Sequence, residues 1–144
     1  MRIAAPRATL TVDACLRLLE ATLAHGRARG WAIWVAVADA SGELMGFIGC
    51  EGAPRISAQV AIDKAFTAVA TARPTSAWKA YLLSAPEEER EIVRRFPRYI
   101  GADGGHPIVH AGLVIGGIGV SGASQASDEE CARAGLAAIG AAPR

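Results

Sequence analysis

The sequence predicts an α+β fold, an antiparallel sheet of hairpins with helices packed against it. Three observations carry this. Two pairs of apolar stretches, 31–50 and 107–120, each broken by a glycine-containing turn, read as hairpins. The segments around them show apolar residues three to four apart, the helical period. The chain has 144 residues, 51% of them hydrophobic, and no repeat, low-complexity run or linker, so one domain spanning 1–144 is expected.

Residues 10–29 read as a helix. Val12, Leu16, Leu19 and Leu23 form its apolar face, Thr11 caps its start, Asp13 suits the first turn and Gly30 ends it. A strand over 31–39 follows, rich in Val, Ile and Trp; Ala40, Ser41 and Gly42 turn the chain, and 43–50 returns as its partner. After the Glu51–Pro54 loop, 57–73 is a second helix with Ala58, Ile62, Ala65, Phe66 and Val69 on one arc, stopped by Pro74. Two short helices follow, one over about 76–83, the other opened by the Ser84-Ala85-Pro86-Glu87 capping pattern. Glu91 precedes Arg95 by four residues, which marks a solvent-facing turn. A further strand is admitted near Tyr99. Strands over 107–110 and 113–120 flank the Ala111-Gly112 turn, and the Ser127-Asp128-Glu129-Glu130 box opens a last helix running to 139.

A net charge of +1 and no basic stripe argue against a nucleic-acid partner. A charged content of 20% with many Ala and Gly residues leaves little to solvate a monomer, so self-association to a dimer or higher homo-oligomer is expected. Cys15, Cys50 and Cys131 are odd in number and irregularly spaced, which fits neither a disulfide framework nor a zinc site. There is no apolar signal core and no run near the ~20 residues of a membrane span, so no membrane partner and a cytoplasmic location are expected.

The most informative stretch is Gly104-Gly105-His106-Pro107-Ile108-Val109-His110, followed by Ile115-Gly116-Gly117-Ile118-Gly119-Val120-Ser121-Gly122. Backbone this bare permits close approach, by a ligand or by another piece of chain. It is not a dinucleotide fingerprint, because it lacks the GxGxxG spacing and leads into a strand. No P-loop and no nucleophile elbow are present.

Five segments in order carry a family resemblance: Asp39-Ala40-Ser41-Gly42-Glu43, Gly52-Ala53-Pro54-Arg55-Ile56-Ser57, Lys64-Ala65-Phe66-Thr67-Ala68, Gly104–Ile108 and Ile115–Gly122. Together they resemble the GlcG/HbpS family, which also supplies the C-terminal domain of PduO-type proteins, over essentially the whole chain. The resemblance implies a profilin-like or roadblock-like fold with a five-stranded antiparallel sheet flanked by helices. It also implies homo-oligomers, a small-molecule ligand that in some members is haem, and operons for glycolate use or aromatic breakdown in others. His106 departs from the pattern, which has an aliphatic residue after the paired glycines.

Three functions are consistent with these residues. In the first, the chain binds haem or a related tetrapyrrole, with His106 and His110, an even number of residues apart on one strand, as iron ligands. No CxxCH motif attaches the haem covalently. In the second, Arg55 at a helix start clamps a carboxylate, Lys64 at the border of its helix's apolar arc and His106 exchange protons, and Gly104, Gly105 and Ser121 line the pocket. That set suits tautomerisation or isomerisation of a small anionic keto or enol acid. In the third, the glycines serve only packing in a non-catalytic assembly or accessory subunit.

Overall fold

The computed structural model describes residues 1–141. Its elements follow the expected order: α1 (Val12–Ala28), β1 (Trp34–Asp39), β2 (Leu44–Gly49), α2 (Ile56–Thr71), α3 (Thr75–Ser84), α4 (Glu87–Arg94), β3 (Gly105–His110), β4 (Leu113–Ser121) and α5 (Gln125–Ala138). The strands pair antiparallel in the order β2-β1-β4-β3. Helix α2 covers one face of this sheet, and α1 and α5 cover the other.

The sheet has four strands among the described residues, not five. The segment near Tyr99 is held in turns by contacts that a strand would forgo. The Thr67 hydroxyl donates to the Arg98 carbonyl and accepts from the Ile100 N–H, both at 3.0 Å, which occupies two backbone groups a ladder would use. Pro97 has no N–H to give. The Tyr99 ring stands edge-on to Phe66 and Phe96.

Thr11 caps α1 as expected, its side chain accepting the Ala14 N–H at 3.2 Å. The buried stripe of α1 differs from the expected one. Cys15, Leu18, Thr22 and Gly26 face inward, Leu19 and Leu23 lie at the margin, and Val12 and Leu16 are exposed. Helix α1 also packs on α5, where Thr22 and Leu18 lie against Gly135, and this turns its buried stripe away from Val12 and Leu16. Helix α5 starts earlier than its Glu-rich box suggested: Ser124 is the cap, accepting from the Ser127 N–H at 3.1 Å.

Alternation along the strands sorts the two faces by size. Val35, Val37, Ile108, Ile118 and Val120 join Leu18, Ile33 and Leu136 in the core under α1 and α5. Each such side chain contributes about 1.5–3 kcal/mol when fully buried. The α2 face carries Ala36 and Ala38 from β1, with Gly117 and Gly119 from β4, against Ala61 and Ala65. Helix α2 therefore lies almost backbone to backbone on the sheet. A Cβ at Gly117 would sit 2.7 Å from the Ala65 carbonyl oxygen, and one at Gly119 would overlap the Ala61 carbonyl oxygen. The barest strand of the sequence is bare for this reason.

Backbone atoms cannot move aside as a flexible side chain can. Gly119→Ala is therefore expected to destabilise the fold by about 3 kcal/mol or more, at the top of the range for overpacking. Gly52→Ala, with φ +84° and open space around it, should cost only the ~1–2 kcal/mol of a left-handed backbone. Chemical denaturation of the two variants checks the order.

Candidate functional site

The Gly104–His106 stretch lies where β3 begins, between α2 on one face and α5 on the other. Lys64, on α2, is 2% exposed. Its Nζ donates to the Val120 carbonyl at 2.8 Å and to Asp128 Oδ2, on α5, at 3.2 Å. The bridge thus ties the helix on one face of the sheet to the helix on the other. Asp128 Oδ1 also accepts the Ala123 N–H at 3.0 Å. Burial pushes the Lys64 ammonium below its ordinary range and the Asp128 carboxyl above its own, each against the pull of the partner charge.

Gly104 is the gap that the bridge passes through. Its φ is +117°, and a Cβ there would lie 2.6 Å from the Val120 oxygen, 3.0 Å from Asp128 Cβ and 3.1 Å from Lys64 Nζ. Gly105 is equally confined: a Cβ would meet the Thr75 side chain at 2.5 Å and the Lys64 carbonyl at 2.7 Å. Its N–H donates to the Thr75 hydroxyl at 2.9 Å.

His106 points to the opposite face, paired across the ladder with Ile118, and is completely buried. Its Nε2 lies 2.7 Å from Glu129 Oε1, which also accepts from Arg133 Nε at 2.9 Å. His106 Nδ1 and Glu129 Oε2 are buried with no hydrogen-bond partner among the described residues. Burial alone would raise the Glu129 carboxyl, but the bonds and charges of His106 and Arg133 outweigh it and hold it below its ordinary value.

The remaining predicted residues lie elsewhere. Arg55 is exposed at the start of α2, about 13 Å along the helix axis from Lys64 at ~1.5 Å per residue. Ser121 is buried in the ladder opposite Trp34. His110 is exposed at the β3–β4 hairpin, beyond a register shift at Ile108/Val109. The structure brings Lys64, Gly104 and Gly105 together, sets His106 back to back with them, and leaves Arg55 and His110 apart.

Among the described residues, two clefts of similar size stand out. One, of about 310 Å³, lies between the chain leading into α1, strands β3 and β4, and the end of α5. Leu10, Ala14, Ile108, Ile115 and Ile139 give it apolar walls, and His110 also lines it. The other, of about 330 Å³ between α3 and α4, includes Arg90 and Arg94. Both arginines are already paired with Glu87, and Arg94 with Glu91 as well.

Sequence reasoning missed Asp128, Glu129 and Thr75 as partners of the predicted residues. Asp128 had a readable signal: with Cys131, Ala132, Gly135 and Leu136 it falls on one helical stripe, which buries it. Cys131, on that stripe, has its thiol pushed up to about 12 by burial, which makes it a packing residue.

Removing one partner of the buried bridge leaves an uncompensated charge, so Lys64→Met should cost about 3–5 kcal/mol, and Lys64→Met with Asp128→Leu should regain much of it. Urea denaturation measures both. A carboxyl held below its ordinary pKa of 4.5 stabilises the fold fully above 4.5, and that contribution is lost as pH falls through the depressed value. The stability advantage of the wild type over Glu129→Gln should therefore be full at neutral pH and shrink below pH 4.5, read as unfolding midpoints across that range.

No curated protein matches the chain. Among solved structures, a double mutant of Streptomyces reticuli HbpS is similar at 32% identity, with 95% of this chain and 91% of that one covered and a TM-score of 0.86. Klebsiella pneumoniae protein ORFY, at 22% identity, 96% coverage of each chain and a TM-score of 0.89, shares the fold. So does the PduOC protein solved as a haem complex, at 24% identity, 95% and 99% coverage and a TM-score of 0.87. A family model described as haem degrading protein HbpS-like matches residues 10–137. The chain belongs to the HbpS-like family.

Proposed function

We propose that this chain binds haem, or a closely related tetrapyrrole, in the cleft lined by Leu10, Ile108, His110, Ile115 and Ile139. The observation that carries the reading is the pairing of apolar walls with an exposed imidazole at one cleft. A macrocycle needs a sheltering apolar surface, and histidine is a common ligand of its iron. Membership of a family described as haem degrading and a fold shared with a haem complex support the choice of ligand.

The residues fit the group in chemistry and in part in size. A volume of about 310 Å³ lies at the small end of the ~300–1,000 Å³ range of ligand pockets. Of the two histidines, His110 is the one that would hold the iron. His106 is enclosed and has its Nε2 engaged by Glu129. Bound haem supplies a redox-active iron; the protein supplies the ligand and a wall that keeps water off one side. The acid/base set has no comparable support, since Lys64 is enclosed in an ion pair and Arg55 stands apart from it.

Haemin titration followed at the Soret band tests this. The wild type should bind with a shifted Soret maximum, and His110→Ala should alter the spectrum and weaken binding tenfold or more. His106→Gln should keep the wild-type spectrum. An unchanged spectrum and affinity in His110→Ala would remove this histidine as the ligand.

A further inference from the structure

We propose that Arg7 binds a carboxylate of the ligand held in the cleft beside His110, so that the site takes a tetrapyrrole with acidic side chains and discriminates against its neutral ester. The assignment rests on the haem reading of that cleft. Apart from His110, no ionisable side chain lines the cleft among the described residues. A carboxylate there would lie against apolar walls, where an unpaired anion is strongly disfavoured. Arg7 is the cation beside it. Ala8, which lines the cleft, follows Arg7 directly, so the two Cα atoms are about 3.8 Å apart. The long, flexible arginine side chain reaches a group that leaves the cleft next to Ala8.

The wall that carries Arg7 is fixed by its neighbours. In the β3–β4 ladder Val109 pairs with Val114 and Ile108 with Gly116, which leaves Ile115 as the extra residue of a bulge. Its carbonyl accepts the Leu10 N–H at 2.8 Å. The Thr9 hydroxyl accepts the Ala40 N–H at 3.1 Å, and the Leu10 side chain is buried in the core. None of these contacts involves Arg7.

Arg7 itself is exposed, and among the described residues it is bonded only to neutral acceptors. These are the Ala40 carbonyl and, at 3.2 Å, the Ser41 hydroxyl. Asp39, on the same turn, has its Oδ1 committed to the N–H groups of Ser41 at 2.8 Å and Glu43 at 3.1 Å. A guanidinium carries five donors, and its bonds to a carboxylate are roughly twice as strong as bonds between neutral groups. Arg7 therefore gains by exchanging its turn contacts for a ligand carboxylate, while Thr9 and Leu10 keep the wall in place.

Haemin and haemin dimethyl ester separate this contact from the rest of the site, because the ester keeps ring and iron and loses both ionised carboxylates. In Soret titrations Arg7→Gln, at an exposed position, should weaken haemin binding about tenfold and change the affinity for the ester less than twofold. Ser41→Ala removes one of the competing turn contacts and should tighten haemin about twofold or more, with the ester unchanged. Both variants should keep the wild-type far-ultraviolet circular dichroism. Equal losses for the two ligands in Arg7→Gln, no loss for haemin, or weaker haemin binding in Ser41→Ala would overturn the assignment of Arg7. The haem reading survives that outcome if His110→Ala still alters the spectrum and weakens binding. Haemin that fails to bind the wild type removes the haem site and the Arg7 assignment with it.

Discussion

The structure depends on the near-contact of the α2 backbone with strand β4. Gly117 and Gly119 put no side chain between the strand and the helix, and Ala61 and Ala65 carry only a methyl on the helix side. At that separation α2 holds Lys64 close enough to the sheet end for its Nζ to reach past Gly104 to Asp128. Were the helix a side chain further off, the ammonium would be stranded in apolar surroundings, at a cost of several kcal/mol. Glycine and buried charge are thus one device.

This device divides the molecule by task. One end of the sheet, around Gly104 to His106, is consumed by internal bonds: Lys64 with Asp128 and Val120, Thr75 with Gly105, His106 with Glu129. The cleft at the far end of β3 is lined by the hairpin strands, the chain leading into α1 and the end of α5, and the exposed His110 imidazole stands there.

Much of the fold was legible because its signals are local. Thr11 before an apolar repeat, Gly42 and Gly112 at hairpin turns, and the alternation of Val35 and Val37 with Ala36 each act within a few residues. What escaped depends on distant partners. No local pattern says that the Thr67 hydroxyl takes the backbone groups near Tyr99 and keeps that segment out of the sheet. Nor does the α1 repeat say that α5 lies beside it, which decides that Leu18 is buried and Leu16 is not. The site residues were legible as types and not as neighbours. Lys64 stands at the border of an apolar arc and His106 follows a glycine pair where the family pattern has an aliphatic residue, and both are buried. Their partners lie on α5, in residues read only as a helix start.

The glycine-rich end of the sheet is packing, and the β3–β4 hairpin end is the surface proposed to take haem. Amide chemical-shift mapping with a diamagnetic gallium protoporphyrin tests it most directly. The account predicts shifts gathered at Leu10, Ile108 to His110, Ile115 and Ile139, with Gly104, Gly105, Gly117 and Gly119 unmoved. Shifts centred on Gly104 to His106, with the hairpin unmoved, would contradict it.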